Sequence, residues 1–280
     1  MVSPSTRDKL ATFFTHFALI FLVLLIASPI IFALIASTQS TSTILNYPPQ
    51  FLPGKAIVNN FTVAWTEYNL GRLMLNSTMI AIAVTVGKTI ISIAAAMALV
   101  YFDFPFKSLI FIIILLTLLL PVPVRIVSLF DLVRQLGMAD TFYAMIFPFF
   151  ASATGTFLFR QHFQSIPDSL ADAARVDGAG PLRFLTQVLV PMSMNTIGAL
   201  AVIQFIYMWN QYLWPLIIMQ SENKQVIQLG LKMLTGSGRA GVKPWGPAMA
   251  GSIIAMLPPL LIFLLLQEQF MKGFALKEEK

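Results

Sequence analysis

Residues 165–191 read SIPDSLADAARVDGAGPLRFLTQVLVP, and this polar stretch lies between long apolar segments. Five of its side chains carry charge: Asp168, Asp172, Arg175, Asp177 and Arg183. Charged side chains are costly inside the hydrocarbon core of a bilayer. The stretch is therefore predicted to stand in water at one face of a membrane, where it presents a surface to another molecule.

The same stretch carries the signals of two short helices joined by a sharp turn. Ser165, followed three residues later by Asp168, is predicted to cap the first helix. Gly178 is predicted to end that helix in a left-handed conformation, and Pro181 suits the first turn of the next one. The alternative is an ordinary cytoplasmic loop that docks nothing.

Apolar residues dominate the rest of the chain. Of the 280 residues, 57% are hydrophobic and 11% are charged, whereas soluble domains carry about 25% charged residues. This composition predicts an integral membrane protein. The chain has no cysteine and two histidines, so no metal site is expected. The basic residues are scattered singly, which argues against binding to nucleic acid.

Six segments are long enough to cross a bilayer core, which takes about 20 residues of helix. They are predicted at residues 13–37, 73–100, 108–127, 141–163, 195–219 and 246–270. The predicted fold class is an all-α polytopic membrane protein. Residues 38–72 are expected to form a polar external loop, and residues 73–270 the membrane core.

Orientation depends on the first predicted span, because basic residues are spread almost evenly over the two sides. Arg7 and Lys9 immediately precede this span, and basic residues favour the cytoplasmic side. With six spans, both termini (residues 1–12 and 271–280) are then expected in the cytoplasm, together with residues 165–191.

A family resemblance rests on three elements within residues 165–191. Asp172-Ala173-Ala174, Asp177-Gly178-Ala179 and the later Pro191 resemble the EAA loop of ABC importer permeases. In that family the short helix of this loop, the coupling helix, docks into a groove on the ATP-hydrolysing subunit. The resemblance implies the same role for residues 165–191, called the coupling loop below. Asp172 departs from the pattern, because glutamate is usual there.

Other segments are similar to the carbohydrate-uptake branch of this family, most of all to permeases of sn-glycerol-3-phosphate importers. These segments are LPVPVR at 120–125, FLFRQ at 157–161 and YMWNQYLWP at 207–215. The resemblance implies a type I ABC importer permease in the bacterial cytoplasmic (inner) membrane. Its expected cargo is sn-glycerol-3-phosphate or a related glycerophosphodiester, moved by alternating access. Alternatives are a permease for a neutral sugar or oligosaccharide and an ion-gradient secondary carrier.

The resemblance also implies partners and places the chemistry of ATP outside this chain. The expected partners are a second, homologous permease subunit in a heterodimer, two copies of an ABC ATPase subunit, a periplasmic or lipid-anchored solute-binding protein, and membrane lipid. The sequence contains no G-x-x-x-x-G-K-[ST] pattern, so ATP and Mg²⁺ are expected on the partner ATPase. No catalytic residue, metal or cofactor is expected on this chain, which is predicted to be a transport subunit.

Polar residues inside the predicted spans are candidates for the path of the solute. Lys88 either lines a cavity and attracts an anionic solute, or pairs with helix-end carbonyls or a partner's carboxylate. Arg125 follows a proline-rich break of the kind that often borders transporter sites. It either grips a phosphate group or extends to the membrane interface.

A second set of path candidates lies in the span predicted at residues 195–219. Its members are Gln204, Tyr207, Trp209 and Asn210. They suit a polyol, because aromatic faces pack against C–H groups and amides bind hydroxyls. The alternative is an aromatic belt at the membrane interface, which is the interpretation favoured for Trp214.

Overall fold

The computed structural model describes residues 6–236 and 243–274, and every regular element in these ranges is helical. The α-helices are, in chain order, α1 (Thr6–Ser37), α2 (Thr41–Ile44), α3 (Ile57–Thr66), α4 (Leu70–Tyr101), α5 (Lys107–Leu116), α6 (Val122–Gln135), α7 (Phe142–Ile146), α8 (Ala153–Gln164), α9 (Asp168–Val176), α10 (Pro181–Phe184), α11 (Val190–Met192), α12 (Met194–Trp209), α13 (Leu213–Ile218), α14 (Ile227–Leu234) and α15 (Trp245–Phe274). Short 3-10 turns lie at Thr117–Leu119, Phe147–Phe149 and Glu222–Lys224, and a π-helical turn lies at Leu185–Leu189. The predicted all-α class is confirmed for the described residues. The ends of the predicted termini, residues 1–5 and 275–280, lie outside them.

Four helical stretches are long and apolar enough to cross a membrane: Lys9–Ser37, Leu70–Tyr101, Phe142–Gln164 and Trp245–Gly273. Two bent pairs raise the number to six if each pair is one span. Lys107–Leu119 and Pro123–Gln135 meet at 106°, and Pro181–Met192 and Met194–Trp209 meet at 78°. By length and composition, the described residues therefore hold between four and six spans.

The span predicted at residues 108–127 is broken near its end. Leu120 adopts an extended conformation with ψ of 112°, which is the usual state of a residue that precedes proline. The chain re-enters a helix at Val122 and continues in a new direction to Gln135. The break that the sequence predicts at Pro121-Val122-Pro123 is therefore confirmed, because Pro121 interrupts the hydrogen-bond ladder.

The span predicted at residues 195–219 is also two helices. Helix α12 ends at Trp209, and α13 begins at Leu213. A helix continuous through this region would need an N–H at residue 215, which Pro215 cannot supply. In the first turn of a new helix that missing donor costs nothing, so the chain restarts as α13.

The described residues within 1–70 and 231–255 form one compact unit. The predicted external loop, residues 38–72, contains the helices α2 and α3, and α4 already begins at its end, at Leu70. Asn60 on α3 is buried, and its Nδ2 donates to the carbonyls of Ser37 and Gln39 at 2.8 Å each. Carbonyls at a helix end lack partners in an isolated helix. Asn60 therefore ties α3 to the end of α1.

Residues 71–230 and the described residues from 256 onward form the second unit, which contains the coupling loop. Its buried core includes Ile93 and Met97 of α4, Phe159 and Phe163 of α8, and Phe184 of α10. The apolar side of the coupling loop is thus anchored on two long helices. This packing positions the loop and leaves its polar side exposed.

Candidate functional site

The first helix of the coupling loop, α9, begins without a side-chain cap. Its N-cap residue is Pro167, and Asp168 occupies its first turn. Ser165 instead ends the preceding helix α8, where its Oγ donates to the carbonyl of His162 at 2.7 Å. The predicted capping role of Ser165 is therefore wrong, because its hydroxyl already serves the last turn of α8.

Gly178 ends α9 in the predicted left-handed conformation, with φ of +71°. Its N–H donates to the carbonyl of Arg175 at 3.0 Å, and the N–H of Ala179 donates to the carbonyl of Ala174 at 2.9 Å. These two bonds define a Schellman motif. A Cβ at residue 178 would meet no atom within 4 Å. Glycine is therefore required there by the backbone angle and not by crowding.

The coupling-loop residues matched by the resemblance divide between an outer and an inner side. Asp172, Ala173, Asp177 and Gly178 are exposed, and Ala174 and Ala179 are half-buried. The carboxylate of Asp172 pairs with Arg175 at 3.2 Å, with both side chains in solvent. Such an exposed pair contributes little to stability. Its charges remain available to a partner.

Exposed apolar side chains border this charged surface. Val176 at the end of α9 is 88% exposed, and Leu182 in the following helix is 77% exposed. Large apolar side chains exposed beside a charged rim are typical of protein–protein contact sites. Ala171 faces the opposite way and is buried in the core.

Tyr101 connects the coupling loop to the end of α4. Its ring meets the ring of Phe184 edge-on, with centroids 5.1 Å apart. Its hydroxyl donates to the carbonyl of Phe163 at 3.4 Å. Sequence reasoning missed Tyr101, although an aromatic residue at the end of a span next to a polar loop is a usable signal.

Lys88 lies in the middle of α4 and is 6% exposed. Its Nζ donates to Oε1 of Gln204 at 2.8 Å and lies 4.9 Å from the ring centroid of Tyr207. Nε2 of Gln204 in turn donates to Oγ of Ser152 at 3.4 Å. We call Lys88, Ser152, Gln204 and Tyr207 the polar cluster. Three of its members were predicted as path residues, and Ser152 was missed because its partner is distant in sequence.

The partner of Lys88 differs from those considered on sequence grounds. Within residues 6–236 and 243–274, no carboxylate lies within ion-pair distance of Lys88. A neutral amide and an aromatic face stabilise the ammonium by hydrogen bonding and a cation–π contact. Arg125, exposed on the first turn of α6, adds a second positive charge that interacts with that of Lys88.

The other predicted path residues lie away from the polar cluster. Trp209 is 2% exposed and stacks on Phe205, with ring centroids 5.8 Å apart. Asn210 is exposed at the end of α12, where Gln228 donates to its Oδ1 at 3.3 Å. Nε2 of Gln228 also donates to the carbonyl of Trp209 at 3.2 Å. This bond provides a donor for a carbonyl at the end of α12 that has no partner within the helix.

Trp214 is buried, so its predicted place in an aromatic belt at the membrane interface is wrong. The side chain is 1% exposed, and its Nε1 donates to the carbonyl of Ala144 at 3.0 Å. A buried indole needs a partner for its N–H. The turn at Ala144 provides one, which allows the ring to pack inside the protein.

A second group of polar contacts fixes the connection at residues 219–227, which lies outside the candidate spans. Asp140 accepts hydrogen bonds from the N–H groups of Gln220 and Ser221 at 3.0 Å each, and from the hydroxyl of Ser221. Lys224 donates to the carbonyl of Asp140 at 2.6 Å. The hydroxyl of Ser221 is the main cause that lowers the pKa of Asp140 to about 2, followed by the backbone N–H of the same residue.

Helix α4 holds the same connection from a second direction. Nδ2 of Asn76 donates to the carbonyls of Asn223 and Gln225 at 3.0 and 2.9 Å, and Oγ of Ser77 accepts from the N–H of Ile227 at 2.8 Å. Side chains from α4 and from the turn at Asp140 therefore provide hydrogen-bond partners for backbone groups of this connection that are not paired within a helix.

Comparison with known proteins decides the family. The profile of the family described as "Binding-protein-dependent transport system inner membrane component" matches residues 88–275. The chain belongs to this family. It is a multi-pass membrane permease, and the predicted family is confirmed.

Relatives match this permease over almost its whole length. The sn-glycerol-3-phosphate transport system permease protein UgpE of Brucella melitensis biotype 1 is 41% identical over 271 residues, which are 94% of this chain and 96% of that protein. The protein of the same name from Agrobacterium fabrum strain C58 is 39% identical over 277 residues, 96% of this chain and 98% of that protein.

A solved structure has the same fold. It is described as a bacterial ABC transporter involved in the import of the acidic polysaccharide alginate. The TM-score is 0.80 at 21% sequence identity, and the match covers 96% of this chain and 99% of that one. The fold of this permease is therefore that of an ABC importer permease.

Proposed function

We propose that this permease is a subunit of an ATP-driven importer that moves sn-glycerol-3-phosphate, or a related glycerophosphodiester, across the bacterial inner membrane. The names of the two relatives support this cargo. The single observation that carries it in the structure is the buried ammonium of Lys88 with an uncharged partner, and the charge of Arg125 also acts on this ammonium. A phosphate group gains more from two such cations than a neutral sugar does.

The proposed topology has six spans, with each bent pair counted as one. Both termini and the coupling loop then face the cytoplasm, which agrees with the basic residues Arg7 and Lys9 before the first span. The exposed charges of the coupling loop also agree with a position in water.

The coupling loop is proposed to dock on an ATPase subunit that carries the ATP and Mg²⁺. The exposed Val176 and Leu182 would fill an apolar groove, and the exposed Asp172 would meet a basic rim. The full assembly would contain two ATPase copies, a second homologous permease and a periplasmic or lipid-anchored solute-binding protein. The family description, which names binding-protein-dependent transport, supports the last of these.

In the proposed cycle, the bond between Lys88 and Gln204 belongs to a state that is closed to the solute. ATP binding closes the ATPase dimer and displaces the coupling loop, and the phosphate of the solute then replaces Gln204 as the partner of Lys88. Each ligand must bind one state better than the other for the cycle to run. Tyr207 borders the same site, while Trp209 and Asn210 are proposed to contact the polyol only after rearrangement.

The test is reconstitution of the whole assembly in proteoliposomes. Uptake of labelled sn-glycerol-3-phosphate that requires ATP and the solute-binding protein would support the proposal. Stimulation of ATP hydrolysis by a neutral sugar but not by the phosphate ester would replace it with the neutral-sugar alternative. Transport by the permease alone, driven by an ion gradient, would refute the ATP-driven mechanism.

A further inference from the structure

The connection between the coupling loop and α12 departs from α-helical geometry at two places. Leu185–Leu189 form a π-helical turn, and beyond it the axes of Pro181–Met192 and Met194–Trp209 meet at 78°. A π turn holds one residue more than an α turn, is rare, and recurs at functional sites. Residues 185–193, which contain both departures, are called the hinge segment below.

Pro191 explains the π turn. In an α-helix the N–H of residue 191 would donate to the carbonyl of Gln187. Proline has no N–H, and its ring collides with the carbonyl four residues earlier. The π turn at Leu185–Leu189 ends directly before Val190-Pro191, where a proline disfavours regular α-helical geometry.

Ser193 holds the bend. Its side chain is fully buried, and its Oγ donates to the carbonyl of Leu189 at 2.6 Å. Its N–H lies 3.1 Å from the same carbonyl and 3.0 Å from that of Val190. The bend therefore depends on one buried hydroxyl and a shared N–H, and not on packing alone.

Helix α4 has none of these interruptions over its 32 residues. Its end contacts the coupling loop through Tyr101 and Phe184, just before the hinge segment. Its middle carries Lys88. The coupling loop thus reaches the polar cluster by two routes, one through the unbroken α4 to Lys88 and one through the hinge segment and α12 to Gln204.

We infer that the hinge segment separates Gln204 from Lys88 when the coupling loop is displaced, and that Pro191 and Ser193 are its positioning residues. This inference rests on the proposed function. Converting the π turn to an α turn takes the extra residue out of that turn and rotates one side relative to the other by about 100°. Such a rotation carries Gln204 out of reach of Lys88, while α4 keeps Lys88 in place. The ammonium is then free to bind the anionic group of the solute.

A reporter for this separation is available at Thr85. It lies on α4 three residues before Lys88, on the same face, and is 8% exposed. Its Oγ1 makes no hydrogen bond among the described residues, so Thr85→Cys breaks no side-chain hydrogen bond found there. The chain contains no cysteine of its own. The new thiol is therefore the one site on this subunit for a water-soluble maleimide.

The experiment uses the complete transporter in proteoliposomes with cysteine-free partner subunits. In the Thr85→Cys background, ATP together with the loaded binding protein is expected to raise the rate of thiol labelling about tenfold, a typical size for coupling between sites. Adding Pro191→Ala is expected to abolish this rise and the uptake of sn-glycerol-3-phosphate, while ATP hydrolysis continues. Ser193→Ala is expected to reduce both the rise in labelling and the uptake, but by less than Pro191→Ala does. It provides the test if the Pro191→Ala transporter fails to assemble.

Pro29→Ala is the matched control, because it also removes a proline from inside a helix, in the exposed α1. It is expected to leave labelling and uptake unchanged. Uptake by the unmodified transporter tests the proposed function separately. If that uptake is present but both hinge variants keep the full rise in labelling, the hinge inference is overturned and the function stands. A labelling rate that does not respond to ATP in the Thr85→Cys background also overturns the inference.

Discussion

The ammonium of Lys88 and the side-chain oxygen of Gln204 lie 2.8 Å apart, although 116 residues separate them in the sequence. The bond joins the middle of α4 to α12 in a buried site. A buried cation normally has a carboxylate partner, and here an amide takes that place. The site therefore keeps a net positive charge. Because Gln204 is neutral, an anion that replaces it as the partner of Lys88 would gain this charge.

Gln204→Glu should cancel the net positive charge of this site with little change in the shape of the side chain. The new carboxylate would pair with Lys88 and cancel its charge, so uptake of sn-glycerol-3-phosphate at low concentration should fall by about tenfold or more. The thermal unfolding temperature should stay the same or rise, because the buried cation gains a counter-ion. Gln267→Glu introduces the same charge at an exposed position of α15 and should leave uptake unchanged. Normal uptake by Gln204→Glu would argue against an anion site at Lys88.

Lys88→Gln and Arg125→Gln test the two cations directly. Each change keeps a polar side chain but removes a positive charge, so each should weaken transport of the phosphate ester more than that of unphosphorylated glycerol derivatives. The loss should be larger for Lys88, because its charge is buried and less screened. Uptake rates measured over a range of solute concentrations give the comparison. Wild-type rates in both variants would remove these residues from the path.

The structure of the coupling loop was largely predictable because its signals are local in sequence. Gly178 followed by Ala179 ends α9 as expected, since a left-handed turn after a helix favours glycine. The cap was mispredicted because the ends of α8 and α9 almost touch. In that setting the hydroxyl of Ser165 has two helix ends to serve, and the sequence does not say which one it chooses.

The polar cluster was predictable only as separate residues. Lys88 and Gln204 were recognised because polar side chains inside apolar spans are rare. Their contact with each other and with Ser152 depends on how α4, α8 and α12 pack, which no local pattern encodes. In the same way, Pro121 signals a break in its span, but the direction of the bend follows from tertiary packing.

Gly178→Val should uncouple ATP hydrolysis from uptake. Valine at φ of +71° is strained, so the turn after α9 should open at a cost of about 1–2 kcal/mol. The proposed docking surface around Asp172 and Val176 would then lose its geometry, while the permease core remains folded. The ratio of solute molecules moved to ATP hydrolysed is the measurement, made on complexes of equal assembly.

Gly180→Val provides the matched control for Gly178→Val. Gly180 has an ordinary φ of −68°, and a Cβ there would also meet no atom within 4 Å. A side chain at residue 180 therefore adds similar bulk without backbone strain. Equal loss of coupling in both variants would show that bulk in the loop matters, and that the left-handed turn does not.

Asp140→Asn should destabilise the connection at residues 219–227 in a pH-dependent way. The pKa of Asp140 is lowered from an ordinary value of about 3.9 to about 2, chiefly by the hydroxyl of Ser221. A carboxyl group whose pKa is lower in the folded state stabilises that state fully above its unfolded pKa, and loses this contribution as the pH falls through the folded pKa. The variant should therefore be less stable by about 1–3 kcal/mol at neutral pH, the range for hydrogen bonds to a charged group.

The pH profile separates this charge effect from a simple packing defect. The difference in thermal unfolding temperature between the wild type and Asp140→Asn should be constant from pH 7 to about pH 5, and should shrink between about pH 4 and pH 2. Ser221→Ala removes the main cause of the lowered pKa, so in that variant the acid-induced loss of stability should be smaller and should be complete at a higher pH than in the wild type. A difference that stays constant down to pH 2 would mean that the carboxylate charge of Asp140 does not hold this connection, and that its shape alone does.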